Sequence, residues 1–333
     1  MSTKRFDVYA PVIIPTLCRY EHFKRCIESL SRCTGAEYTE VYIGLDYPLK
    51  KEHEEGYKKI CEYIPNVCGF KEIIVYKREK NYGFSQNTSD IYNHVREKYD
   101  RYIFSEDDNE FSPNFLEYMN EGLTRFKDTP NVIRICGAKV PWSCDLHEFV
   151  HGYDKNVFPA KDFVSSGVGA WFDKLYAAPY TKMSVLNSWK LTYRAFREGH
   201  CTAISRMLHQ LKKESQLPDV CRRLFCAFNN YYCIFPIVSK VKNWGYDGTG
   251  LNSDNDPHLI DMQEFDSMDS FYMDDIEIKD YPGMDAFIKK NYSDGALIRF
   301  VTMIKYLYYR ISKKDLGDTA IYKTIKNKFK TNS

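Results

Sequence analysis

The sequence predicts an α/β fold, a mostly parallel sheet with helices on both faces, joined to a helical and loop-rich half and a helical tail. Three observations carry this reading. Strand and helix patterns alternate with short connections through the first 140 residues, the alternation stops near residue 141, and an amphipathic pattern with a basic flank closes the sequence.

The elements follow in order. "APVIIPT" (10–16) reads as a buried strand, and "RYEHFKRCIESLSRC" as a helix whose Phe23, Cys26, Ile27 and Leu30 share one face. "EVYIGLD" (40–46) and "KEIIVYKRE" (71–79) are the second and third strands, separated by the helix "KKEHEEGYKKICEYI". "FSQNTSDIYNHVREKY" is a third helix, "DRYIFS" a fourth strand and "NVIRICGA" (131–138) a fifth. Between the last two strands a helix is expected from Ser112, with Ser112 as its cap and Pro113 at its first position. From about 141 to 255 the pattern is less regular, with a long helical stretch at roughly 186 to 230 interrupted near Pro218. Residues 256–294 are acidic and loop-rich. The segment 295–312, "GALIRFVTMIKYLYYRIS", predicts a helix with Leu297, Phe300, Val301, Ile304, Leu307, Tyr308 and Ile311 on one face.

Composition excludes some classes of function. The net charge is +2 over 333 residues, so the chain as a whole has no electrostatic appetite for nucleic acid. Charge is uneven, however: from Ala296 onward nine Lys or Arg face two Asp, a net +7 that leaves −5 on the rest. The 27 tyrosines suit flat ligands such as sugars or bases, or reflect codon bias alone. Eleven cysteines occur without a C-x-x-C pair, and Cys221, Cys226 and Cys233 lack zinc spacing. The opening "MSTKRFDVYAPVIIPT" has too short an apolar run for a signal peptide, and no 18-residue apolar stretch occurs. Reduced thiols and a cytoplasmic location are therefore expected.

In a parallel sheet, ligands bind beyond the carboxyl ends of the strands. The polar residues there are Thr16 and Arg19, Asp46, Asn81, and the run Glu106-Asp107-Asp108. Three adjacent carboxylates at a strand end suit a hard cation, Mn²⁺ or Mg²⁺, completed by phosphate oxygens. They also suit a solvated acidic loop before a helix N-terminus. Asp46 and Arg19 fit a bound nucleotide, or helix caps. "NYGFSQN" (81–87) by itself is a turn and a cap. Neither Gly-x-Gly-x-x-Gly nor a P-loop motif occurs.

Together, "PVIIPTLCRYEHFKRCIESL", "IGLD", "NYGFSQN" and above all "SEDDNEFSPNFLEYM" resemble the nucleotide-sugar-dependent glycosyltransferases of the GT-A fold. The last stretch is similar to the Glu-Asp-Asp form of the Asp-x-Asp motif in the inverting N-acetylglucosaminyltransferase I group and its bacterial family-2-like relatives. "DFVSSGVGAWFDKLY" (162–176) is similar to that group's Gly-rich loop, and "LPDVCRRLF" and "FPIVSKVKNWGYDGTGLNS" to its closing segments, so the resemblance spans roughly residues 8–255. It implies a nucleotide-sugar-binding half at 1–140, and an acceptor-binding and catalytic half of the same domain at 141–255. Residues 256–294 and a basic tail at 295–333 follow these. Asp108 would hold Mn²⁺ or Mg²⁺, and Glu106 and Asp107 would contact the sugar nucleotide and metal waters. Asp46 and Arg19 would hold the uracil and neighbouring groups, with Thr16, Asn81, Gly83, Gly167 and Gly169 also lining the donor site. Asp219 would be the catalytic base, with Asp173 or Asp247 as substitutes. Many relatives carry His where this chain has Asn252.

The implied partners are a nucleotide-sugar donor and a glycan or lipid-linked acceptor, with no nucleic acid. The tail either lies on anionic lipid, each basic residue adding about 1 kcal/mol, or buries its apolar face as core. Two other functions stay open. A sugar-nucleotide pyrophosphorylase would carry a Gly-rich loop after the first strand, where "PTLCRYEHF" has no Gly. A non-catalytic nucleotide- or glycan-binding protein would keep the fold alone.

Overall fold

Successive residues of a strand point to opposite sides, so a strand that is apolar throughout needs cover on both faces. The first strands meet that condition. In the computed structural model, which describes residues 5–139, 148, 150–174, 180–212, 217–250, 256–284, 286–287, 290 and 295–316, the chain divides into two units. The first comprises Met1–Cys144, Asp154–Tyr176 and Tyr231–Lys279; the second comprises Asp145–Tyr153, Ala177–Asn230 and Asp280–Ser333.

The first unit opens with β1 (Val12–Thr16), α1 (Tyr20–Ser31), β2 (Glu40–Leu45), α2 (Lys51–Tyr63), β3 (Glu72–Lys77) and α3 (Gly83–Arg96). It continues with β4 (Arg101–Phe104), β5 (Asn109–Phe111), α4 (Phe115–Arg125), β6 (Val132–Cys136), β7 (Val157–Ala160) and β8 (Val168–Trp171). The second unit contributes α5 (Lys182–Asn187), α6 (Trp189–Arg197), α7 (Cys201–His209) and α8 (Pro218–Asn229). The chain then returns to the first unit for β9 (Tyr232–Pro236), β10 (Val241–Asn243) and α9 (His258–Asp261), and α10 (Ala296–Ser312) belongs to the second.

Eight strands form one sheet in the order β3-β2-β1-β4-β8-β6-β9-β7, and β5 and β10 form a separate antiparallel ribbon. The pairs β3/β2, β2/β1, β1/β4 and β6/β9 are parallel, and those that β8 and β7 make are antiparallel. Side chains sort by face as the alternation requires. Val12, Ile14, Val41, Ile43 and Ile103 join Phe23, Ile27 and Leu30 of α1 and Leu116 and Leu123 of α4 in one core. Ile13, Tyr42 and Tyr102, one position along, pack with Ile91 and Val95 of α3 in the other. Each fully buried side chain of this size contributes about 1.5–3 kcal/mol.

The acidic segment after α9 is an extended strap along α4. Phe271 and Met273 are buried in the larger core. Their backbone N–H groups donate to Glu117 Oε2 and Glu121 Oε1, each at 2.9 Å. In the second unit, Val185, Ile204, Met207, Leu208, Leu224 and Phe228 make a helical core that Tyr306 and Tyr309 of α10 join. No described helix is long and apolar enough to cross a membrane.

Two expectations are corrected, and one of two readings of the tail is excluded. Ser112 and Pro113 do not open a helix: α4 begins at Phe115 after Asn114, because Ser112 closes the β5 ribbon, its N–H donating to Lys240 O at 3.0 Å. The stretch from 186 to 230 is broken well before Pro218, since Ser188 caps α6 and ends α5, and a further turn at 198–200 precedes α7. Of the two readings of the tail's apolar face, burial as core is the one the structure contradicts. Leu297, Phe300, Ile304, Leu307 and Ile311 are exposed, and α10 is held instead through Thr302, Tyr306 and Tyr309.

Glu40 opens β2 almost fully buried, accepting from Lys71 Nζ (2.8 Å), Lys98 Nζ (3.0 Å) and Tyr42 Oη (3.0 Å). Burial raises its carboxyl, but the two lysines and the tyrosine hydroxyls outweigh that and bring it from 4.5 down to about 2. A depressed carboxyl stabilises the fold above its unfolded value and loses that contribution as pH falls through its folded one. Glu40→Gln is therefore less stable by about 2 kcal/mol at neutral pH. In urea titrations the difference from wild type closes as pH falls from 4.5 towards 2.

Candidate functional site

The parallel run β2-β1-β4 places the ends of three strands along one edge. Asp46 N donates to Thr16 O (2.9 Å) and Ser105 N to Ile13 O (3.0 Å), so Thr16, Asp46 and the turn 105–108 emerge side by side. That turn is braced from within: Asn109 Nδ2 donates to Ser105 Oγ, which donates to Glu106 O, both at 2.9 Å. Cys26 Sγ also donates to Glu106 O at 3.8 Å.

Arg19, between β1 and α1, reaches both carboxylates of the turn. Its guanidinium donates to Asp107 Oδ1, and Nη1 lies 2.9 Å from Asp108 Oδ2. Thr16 Oγ1 donates to Asp107 Oδ2 at 2.8 Å. Asn243 Nδ2 donates to Asp108 Oδ1 at 3.1 Å, and Trp244 N to Asp108 O at 2.9 Å. Asp107 and Asp108 are 5% and 8% exposed, so two negative charges sit out of water against one guanidinium. Burial pushes the Asp107 carboxyl up; Arg19 opposes this and Asp108 adds to it, and the net direction is upward. Burial alone would lower the Arg19 guanidinium, but Asp107 and Asp108 outweigh it and hold it above its ordinary value. The pair is under-compensated, which is what a second cation would correct.

That charge deficit and the all-oxygen donor set fit Mn²⁺ or Mg²⁺. Among the described residues no three His, Cys, Asp or Glu side chains gather at one point.

Two glycines set the geometry from outside. A methyl group on Gly56, inside α2, would lie 1.8 Å from Cys18 O, so α2 rests directly on the backbone next to Arg19. A methyl on Gly245 would lie 2.4 Å from Asp108 Oδ2. The ribbon brings Gly245 there because β10 pairs Asn243 with Asn109, immediately after Asp108. Gln263 clamps Asn243 in turn, accepting from its N–H (2.6 Å) and donating to its carbonyl (2.8 Å).

Sequence reasoning gave His22 no role, although its Nε2 lies 2.8 Å from Asp247 Oδ2. Asp247 Oδ1 accepts from Thr249 N (3.0 Å) and Oγ1 (2.7 Å). Burial raises the Asp247 carboxyl, but Thr249 and His22 outweigh it and bring it down to about 2. Asn243, Gly245 and Asp247 all lie in "NWGYDGTG", whose similarity to a closing family segment was the available signal. Asn252 lies outside the described residues.

The other candidates are placed as follows. Asp46 accepts from three backbone N–H groups, Tyr47 (2.9 Å), Tyr82 (2.8 Å) and Gly83 (2.9 Å), and so ties the end of β2 to the start of α3. Gly83 there has φ +71°, and Asn81 Nδ2 donates to Tyr47 O at 2.6 Å. Gly167, at φ +63°, packs under Val241 and Phe115, and Gly169 sits within β8 against Leu123 and Met119. Asp173 is exposed just after β8. Asp219 belongs to the second unit, in the first turn of α8, with Arg206 Nη1 3.9 Å away. The structure thus brings Thr16, Arg19, Asp107 and Asp108 into direct contact, with Asp46 on the same edge.

No family model matches the sequence, and no curated protein matches it significantly. Solved structures do align with it. TarS of S. aureus aligns at 12% identity and TM-score 0.31, covering 48% of this chain and 28% of that one. GalNAc-T7, solved with UDP, GalNAc and Mn²⁺, aligns at 9% identity and TM-score 0.43, covering 71% and 44%. The mannosyltransferase PcManGT of Pyrobaculum calidifontis, solved with GDP-Man and Mn²⁺, aligns at 9% identity and TM-score 0.37, covering 67% and 70%. This chain therefore spans less than half the length of the first two. At these scores the likeness carries no argument about activity or ligands.

The glycine contacts predict that Gly56→Ala and Gly245→Ala each lower stability by roughly 1–3 kcal/mol in chemical denaturation, since neither methyl has room. Gly295→Ala, where nothing lies within 4 Å, should change it by less than about 0.5 kcal/mol.

Proposed function

We propose that the protein is an inverting glycosyltransferase that moves a sugar from a nucleoside-diphosphate donor, with uridine as the base, to a hydroxyl of a glycan or lipid-linked glycan. One observation carries the reading: the buried Asp107–Asp108 pair at the end of β4, facing Arg19 and short of positive charge. A site of that composition suits a diphosphate that arrives with a divalent cation. The motif resemblance around Glu106-Asp107-Asp108 points the same way.

When bound, Mn²⁺ or Mg²⁺ supplies positive charge to the departing nucleotide. The chain's own residues do the rest. Asp108 is the metal-binding residue, held at Oδ1 by Asn243, and Asp107 is oriented by Thr16. Arg19, with five donors in a planar fork, pairs with donor phosphate. Asp46 accepts from the base or ribose in addition to its three backbone donors, and Asn81, Gly83, Gly167 and Gly169 shape that donor side. Asp219 takes the proton from the acceptor hydroxyl as its oxygen attacks the anomeric carbon, and a single displacement inverts the configuration. Asp247, whose carboxyl Thr249 and His22 bring down to about 2, has little proton affinity.

One observation favours a second reading, a non-catalytic nucleotide- or glycan-binding protein: Arg19 already occupies both carboxylates. Turnover separates the two. A screen of nucleotide sugars with and without Mn²⁺ should give metal-dependent release of nucleoside diphosphate. Asp108→Ala should lower it by about 100-fold or more, and Asp219→Asn by a similar factor with donor binding retained. Wild-type turnover in Asp108→Ala removes the metal assignment, and full activity in Asp219→Asn moves the base elsewhere. Donor binding without turnover under any condition supports the non-catalytic reading.

A further inference from the structure

Helix α10 is attached to its own unit by one side. Thr302, Tyr306 and Tyr309 are at most 2% exposed. Tyr306 meets Trp189 edge-on with centroids 5.2 Å apart, and Tyr309 Oη donates to Asn187 Oδ1 at 3.1 Å. Arg299 and Arg310, flanking that side, donate to the carbonyls of Phe196 and Asn187. At about 100° per residue, Leu297, Phe300, Met303, Ile304, Leu307 and Ile311 fall in a single arc on the opposite side. All six are between 42% and 87% exposed. The arc carries no charged residue and runs for about 21 Å along the helix. A contiguous apolar stripe of that length is uncommon on a free protein surface.

We propose that this stripe is a membrane-docking face, which lays α10 flat in the interface of a bilayer containing anionic lipid. Charge selects the occupant. Lys313 and Lys314 follow the stripe directly, four more lysines come by residue 330, and the segment from Ala296 carries a net +7. Lys313 and Lys314, at the end of the helix, complement anionic headgroups at the depth where the apolar side chains enter. The same charges oppose a second copy of this chain, which would set one +7 segment beside another. The helix is too short to span: its 17 residues cover about 26 Å, and its tyrosine face is committed to the protein. Insertion therefore reaches the depth of one side-chain layer.

The test is co-sedimentation of the full chain with phosphatidylcholine vesicles, with and without phosphatidylglycerol. Wild type should pellet with the mixed vesicles, much less with phosphatidylcholine alone, and the binding should weaken as salt rises. The triple variant Phe300→Ser/Ile304→Ser/Leu307→Ser should lose roughly tenfold or more of the partition coefficient while melting like wild type. Lys313→Glu/Lys314→Glu, which leaves the stripe intact, should reduce binding only to the anionic vesicles, and it carries the test if the triple variant misfolds. Wild type that stays in the supernatant with both vesicles overturns the proposal, as does equal binding to both. A dimer in light scattering that the triple variant dissolves assigns the stripe to a second copy instead. None of these readouts depends on glycosyl transfer.

Discussion

One guanidinium between two buried carboxylates governs the geometry of the first unit. Arg19 cannot leave Asp107 and Asp108 without stranding two negative charges out of water, and they cannot separate without stranding Arg19. The β1–α1 connection and the turn after β4 are thus fixed to each other electrostatically as well as by the parallel pairing of β1 with β4. Steric constraints tighten the same point from both sides. Gly56 lets α2 close on Cys18, and Gly245 lets the β10 end close on Asp108. An array of charge and close packing of this kind has little freedom to relax, which suits a site where groups must be in place before a ligand arrives.

Much of this was legible in the sequence where the information is local. The alternation of β1 to β4 with α1 to α3 shows in apolar periodicity, and the carboxylates stand at a strand end in plain view. What escaped depends on partners far along the chain. A three-residue strand such as β5 has no pattern of its own; it exists because Val241–Asn243 pairs with it. Without that pairing Ser112-Pro113 has the local chemistry of a helix start. The roles of Asn243, Gln263 and His22 were hidden for the same reason, since each acts on a residue remote in sequence.

The tail shows a different limit. Periodicity reveals that a helix has an apolar stripe but not which side the rest of the protein covers. In α10 the covered side is the tyrosine side, where ring area is buried and at least one hydroxyl finds a polar partner, while the aliphatic side is left in contact with water. Asp46 makes a related point about single residues. A carboxylate at a strand end can bind a ligand or tie down backbone, and only the three N–H groups aimed at it reveal the second task.

The strap that crosses α4 bears on how the chain acquires its structure. Phe271 and Met273 enter the first unit's core some forty residues after α8 ends, and β9 completes the sheet only after α5 to α8 have passed. A ribosome releasing this chain from its N-terminus therefore exposes β1 to β8 long before their last strands and the cover for α4 exist. The second unit's helical segment, whose contacts are more local, emerges in the interval. Between those two moments the edge of β6 lacks β9 and one side of α4 lacks its cover. The strap that covers α4 carries carboxylates at Asp266, Asp269, Asp274 and Asp275, charges that favour water over burial until the strap docks.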